Sequence, residues 1–242
     1  MRGARAGALI FGATLASYLL GFGLGSRFLL PLLNTAPAYF FLAARIRQGE
    51  RMSALAGMLL WTGSLIVLGT LMCALFPERA EKVILNGVAY RDTMLQWIAT
   101  GEGEESHPSQ FLPTHARHLA LYIPIALLTA GAGGMLMGSI LTNYMDFFVA
   151  SLALRSGSPF LVALLAWFPW SLLRVAGYVI LGVLAAEPLL LRLGRTSSKA
   201  AERGQRRRLL TVAAALLVGD VVVKSLLAPR WGAMLSGLIR IN

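Results

Sequence analysis

Three histidines and five isolated charges are the residues of this chain whose types and spacing could do chemistry. His107, His115 and His118 lie in or just after a polar stretch and at the edge of an apolar run. His115 and His118 are three residues apart, so one helical face could present both. A metal or a tetrapyrrole is the sharp reading of that spacing. Polar residues at a membrane edge are the plain reading, and the one adopted. No HExxH helix, GxSxG elbow or Walker loop accompanies them. "GAGGMLMGS" (131–139) has the glycines of a phosphate loop but not its lysine. The expectation is no catalytic residue, no metal and no cofactor.

The five charges are Asp146, Arg174, Glu187, Asp220 and Lys224, each inside an apolar run. A charge at membrane depth is costly and faces protein or water. Asp220 and Lys224, in "LVGDVVVKSLLAP" (217–229), stand at i, i+4 and can meet on one helix face. Arg174 is a second partner for Asp220 from another helix. Arg174, Asp220 and Lys224, with Asn143 and Asp146 nearby, are read as a structural polar clamp between helices. An ion or proton path is the rival reading. In "AWFPWSLLR" (166–174), Trp167 and Trp170 are read as interfacial anchors. Pro169 between them breaks the helix ladder and favours a re-entrant turn.

These residues need long apolar elements to carry them. Of 242 residues, 57% are hydrophobic and 14% charged, too apolar for an ordinary soluble domain. Several runs approach the roughly 20 residues that cross a bilayer core. The expected fold is all-α, a polytopic transmembrane helical bundle of about six or seven segments, short or re-entrant ones included. The whole chain, 1–242, is read as one integral membrane domain. Spans are expected at 7–25, 53–76, 117–141 and 209–228. The block 28–44, with Pro31, Asn34 and Pro37, reads as kinked or re-entrant. The region 158–192 reads as two blocks, 160–173 and 175–191, around Arg174. Between 77 and 116 lies the one sizeable polar region. Its apolar spacing from about Ala80 to Ala99 fits a short helix lying on the membrane. Glycine pairs Gly21/Gly25 and Gly134/Gly138 form GxxxG steps that permit close helix contact.

The 22 Lys and Arg outnumber the 11 acids, but no basic helix interleaves with stacking aromatics, so nucleic acid is not an expected partner. Basic loops mark the cytoplasmic side. The N-terminus, 45–51 and 194–208 are basic and are placed inside. The 77–116 loop carries six acids (Glu78, Glu81, Asp92, Glu102, Glu104, Glu105) and is placed outside. The expected location is the inner, cytoplasmic membrane, multi-pass, with a cytoplasmic N-terminus. The single cysteine, Cys73, sits in an apolar run and is expected to pack.

The second half of the chain resembles the stage II sporulation protein M-like integral membrane proteins. "TNYMDFF" follows the 117–141 run, with Asn143 at that family's asparagine step. "PWSLLR" falls where its Pro-His-Gly-x-x-Glu element would be, "VAGYVILGVLAA" follows as the small-residue span, and "VKSLLAP" closes with Pro229 in register. Trp170 and Ser171 replace His-Gly, and Arg174 and Lys224 stand where that family has acids. The resemblance covers about 117–230 and implies a non-enzymatic, partner-dependent role. The expected function is a non-enzymatic multi-pass membrane protein serving as a subunit or scaffold of a larger membrane complex. Its partners would be the lipid bilayer and other membrane subunits. The alternative is a transporter or permease component of an ATP-driven export system, with an ATPase partner. The second alternative is an intramembrane enzyme or cofactor-binding subunit.

Overall fold

Away from water, a chain must satisfy its own backbone, and long apolar runs do so as helices. A computed structural model describes residues 2–194 and 200–239, with side chains placed at 5–193 and 203–239. The described residues form ten helices. They are α1 (Arg2–Leu24), α2 (Leu29–Arg47), α3 (Arg51–Leu75), α4 (Pro77–Val83) and α5 (Gly87–Thr100). Then come α6 (Pro108–Leu128), α7 (Ala132–Leu154), α8 (Pro159–Ala166), α9 (Pro169–Gly194) and α10 (Ala200–Ser236). Six of them, α1, α2, α3, α7, α9 and α10, are long and apolar enough to cross a membrane. The all-α multi-pass bundle expected from composition is the fold observed. Part of the basic stretch 194–208, residues 195–199, lies outside the described residues.

α7 is the axis of the bundle and packs against α2, α3, α5, α6, α8 and α9. Of its apolar window, 61% is buried, against 17% for α10 on the periphery. Named contacts fix the helix directions. α10 runs back along α9, so that Arg174 meets Asp220 at one end and Glu187 meets Arg206 at the other. α6 runs parallel to α9: His115 lies by Asp220, and Tyr122 by Tyr178. Phe40, Leu128 and Phe160 are more than two-thirds exposed and supply an outward apolar face, as lipid contact requires.

Several boundaries differ from the sequence reading. The 117–141 run is not one span. Ala130 (φ 52°) and Gly131 (φ 92°) are both left-handed, which ends α6 and reverses the chain into α7. The 28–44 block is not broken: α2 runs through Pro37. The break in 158–192 falls at Trp167–Phe168, not at Arg174. Pro169 then opens α9, since a first-turn proline sacrifices no helical donor.

The 77–116 segment also differs. It holds α4, α5 and the first turns of α6, and the apolar face of α5 is covered by protein, not spread on a lipid surface. Met94, Trp97 and Ile98 are buried with Met145 and Phe148 of α7. Trp170 is fully buried and Trp167 nearly so. Trp170 stacks on Phe168 at 4.7 Å with the planes 12° apart. These tryptophans are core residues, not interfacial anchors: Trp170 meets Trp231 of α10, and Trp167 donates to Thr70 of α3. Gly134 packs against Ala126 and Tyr122 of α6 and Gly21 against Leu30, so both serve close helix approach. Cys73 is buried.

Candidate functional site

A cavity of about 240 Å³ lies between α3, α6, α7 and α9. Its lining follows α9 from Arg174 to Val183, and the two ends of that run differ in chemistry. Leu42, which comes close to Gly131, and Met135 line the Val183 end, and Met58 and Leu65 add apolar wall. Arg174, Lys224, His115, His118, Glu104 and Glu105 line the polar end, and Tyr90, Tyr144 and Tyr178 lie among the lining residues as well. Arg174 sits in the second turn of α9. Its Nε and Nη2 donate to the two carboxylate oxygens of Asp220 on α10, at 2.8 and 2.9 Å. This two-pronged geometry suits a planar guanidinium.

Asp220 and Lys224 do not pair as the i, i+4 spacing suggests. Arg174 takes both oxygens of Asp220. Lys224 instead donates to Glu105 at 2.8 Å, reaching the loop between α5 and α6. The Lys224 ammonium also lies 4.3 Å from the Phe111 ring centre, a cation–π distance. His115 presents its buried Nδ1 to the same end, 3.6 Å from Asp220, too far for a hydrogen bond. Tyr90 on α5 donates to the Met145 sulfur at 3.3 Å. Burial raises its phenol well above the ordinary range, and the Glu105 carboxylate adds to the rise. It therefore remains a donor.

Asn143 and Asp146 belong to a separate network deeper in α7. The Tyr18 hydroxyl of α1 donates to Asn143 Oδ1 at 2.7 Å, and Asn34 Nδ2 of α2 donates to the same oxygen at 3.2 Å. Thr70 of α3 donates to Asp146 Oδ1 at 3.0 Å, and Tyr18 lies 3.4 Å from the other oxygen. Among the described residues, the Asp146 carboxylate is thus held by neutral hydroxyls, those of Thr70 and Tyr18. Trp167, which lines the cavity, donates to Thr70 Oγ1 at 3.3 Å and links the two sites. Gly69 completes the cradle: a Cβ there would collide with Asp146 and Tyr18.

Glu187, the fifth charge, lies at the opposite end of α9. Arg51 donates to it at 2.7 Å, both side chains are 6% exposed, and Arg51 also reaches Gln205 at 2.9 Å. The five expected clamp residues thus fall into two networks, Arg174, Asp220 and Lys224 in one and Asn143 and Asp146 in the other, and Glu187 lies apart from both. Glu105, Tyr18, Asn34, Thr70 and Arg51 are partners that no local spacing in the chain marks. Two signals point toward them. Each isolated charge in an apolar run needs an opposite partner or a set of donors. Arg51 also closes the basic loop 45–51, directly before an apolar run. Histidine, cysteine and carboxylate side chains form no cluster of three or more that could hold a metal ion among the described residues. No family model, curated protein or solved structure matches the chain.

Proposed function

We propose that this chain is a non-enzymatic multi-pass membrane protein that binds a small amphipathic molecule within its bundle, as a transporter or permease component. The cavity carries this reading: its ionic and hydrogen-bonding groups gather at one end and its apolar walls at the other, as small-molecule sites do. The chain break at Trp167–Phe168, between α8 and α9, adds support, because transporter sites form beside discontinuous helices. Trp167 at this break lines the cavity. The basic ends near Arg51 and Arg206 face the cytoplasm in this reading, so the Glu105 loop and the polar end of the cavity face outward. The resemblance over 117–230 to stage II sporulation protein M-like proteins agrees with a role in binding and assembly over chemistry.

Purification from the native membrane in mild detergent, followed by native mass spectrometry, tests this. The expected result is a small molecule bound to the wild-type protein and lost in Gly138→Leu. Gly138 lines the cavity, and a Cβ there meets no heavy atom within 4 Å, so a larger side chain can start from this position into the site. A wild-type protein carrying no small molecule, but holding stoichiometric protein partners, would overturn the proposal in favour of a scaffold subunit.

A further inference from the structure

The two ion pairs at the polar end of the cavity are built differently. Arg174 and Asp220 join two long helices with two hydrogen bonds, and the Asp220 side chain is 3% exposed. Lys224 is 1% exposed, yet its anion comes from a loop, on a Glu105 side chain that is 17% exposed. That loop, between Thr100 and Pro108, contains Gly101 (φ 74°) and Gly103 (φ 149°), backbone conformations that glycine adopts without strain. The loop is held at Ser106, which accepts from Trp97 Nε1 at 3.0 Å. Glu105 itself is held by its bond to Lys224.

From this asymmetry we infer that Glu105 stands in for the ligand's head group. The molecule the cavity takes is a single-tailed amphipathic carboxylate that displaces Glu105 from Lys224. The inference rests on the ligand-binding reading above and names the ligand class. A buried ammonium stripped of its anion is strongly destabilised, so whatever displaces Glu105 must bring a negative charge. A carboxylate does so without changing the charge of the site. A neutral or cationic head leaves Lys224 unpaired. His115 supplies an independent sign: its buried Nδ1 has no hydrogen-bond partner and lies in the wall of this end of the cavity. A ligand carboxylate at Lys224 gives that nitrogen a partner. The tail then extends between Leu42, Met58, Met135 and Val183. Loop and ligand compete for one cation, so the loop closes the empty site and opens the filled one.

Equilibrium binding of radiolabelled decanoate to the purified protein tests the inference, with Gly138→Leu as the background for uptake into detergent. Wild type is expected to bind above that background. Decanoate but not decanol or decyltrimethylammonium should compete. Glu105→Gln removes the competing charge and is expected to tighten binding by about tenfold. Lys224→Met is expected to lose it. If Lys224→Met does not fold, Glu105→Gln still decides. Equal competition by decanol, or unchanged affinity in Glu105→Gln, overturns the anionic class. Suppose decanoate does not bind, but the native preparation carries a molecule that Gly138→Leu loses. Then the carboxylate class is wrong and the cavity reading stands. If neither is found, both fall.

Discussion

Replacing Asp220 with alanine leaves the part-buried Arg174 guanidinium, in the cavity wall, without either of its carboxylate bonds across α9 and α10. The expected loss is about 3–5 kcal/mol, measured as a lowered unfolding temperature in detergent. The pair Arg174→Met with Asp220→Leu should recover much of it, because no uncompensated charge remains. Gly69→Ala should cost about 1–3 kcal/mol, since its methyl group enters space held by Asp146 and Tyr18. At this scale the sequence marks the residues but not their pairs. Arg174, Asp220 and Lys224 stand out because charges are rare in apolar runs. The i, i+4 spacing suggests that Asp220 meets Lys224. Instead their partners are 46 and 119 residues away, Arg174 and Glu105, and nothing local in the chain encodes that.

Helices are legible where composition is uniform and illegible where a break depends on two residues. α3 matches its apolar run closely, from Arg51 to Leu75. The α6–α7 reversal lies inside "LLTAGAGGMLMG", which holds no charge or proline to mark it. Two left-handed residues suffice to turn the chain there. Pro37 misleads in the opposite direction, because α2 continues through it. Gly131 and Gly138 can be told apart by one substitution each. Gly131→Ala combines a left-handed backbone with a Cβ only 2.8 Å from that of Ala186, so a loss of about 2 kcal/mol or more is expected. Gly138→Ala meets open space within a helix and should be neutral, or stabilising by up to about 1 kcal/mol. Thermal unfolding of both variants in the same detergent checks the contrast. The α5 face was visible as amphipathic, but its cover was not: lipid and a neighbouring helix select the same apolar spacing.

Over the whole molecule the charge is asymmetric. The Arg51, Gln205 and Arg206 end gathers around Glu187, whereas the opposite end carries the acids of 77–107. Composition and loop charge made both the helical class and this polarity legible. In the proposed orientation, a cysteine at Glu102, which is exposed, should react with an impermeant maleimide on intact cells. A cysteine at Arg207, also exposed, should react only after permeabilisation. The native Cys73 is buried and contributes little background. The reverse pattern would invert the topology and place the Glu105 loop in the cytoplasm.

The Asp146 network bears on how this protein is made. Asn143 and Asp146 of α7 find their partners on α1, α2 and α3, through Tyr18, Asn34 and Thr70. Those three helices leave the ribosome before α7 does. When α7 enters the bilayer, the groups that receive its amide and carboxyl are already there, so its polar stripe need not wait unsolvated in lipid. A chain with this stripe on its first helix would lack that reception. The order of segments along the gene thus doubles as an order of assembly, with the least lipid-compatible helix arriving after the site that accepts it.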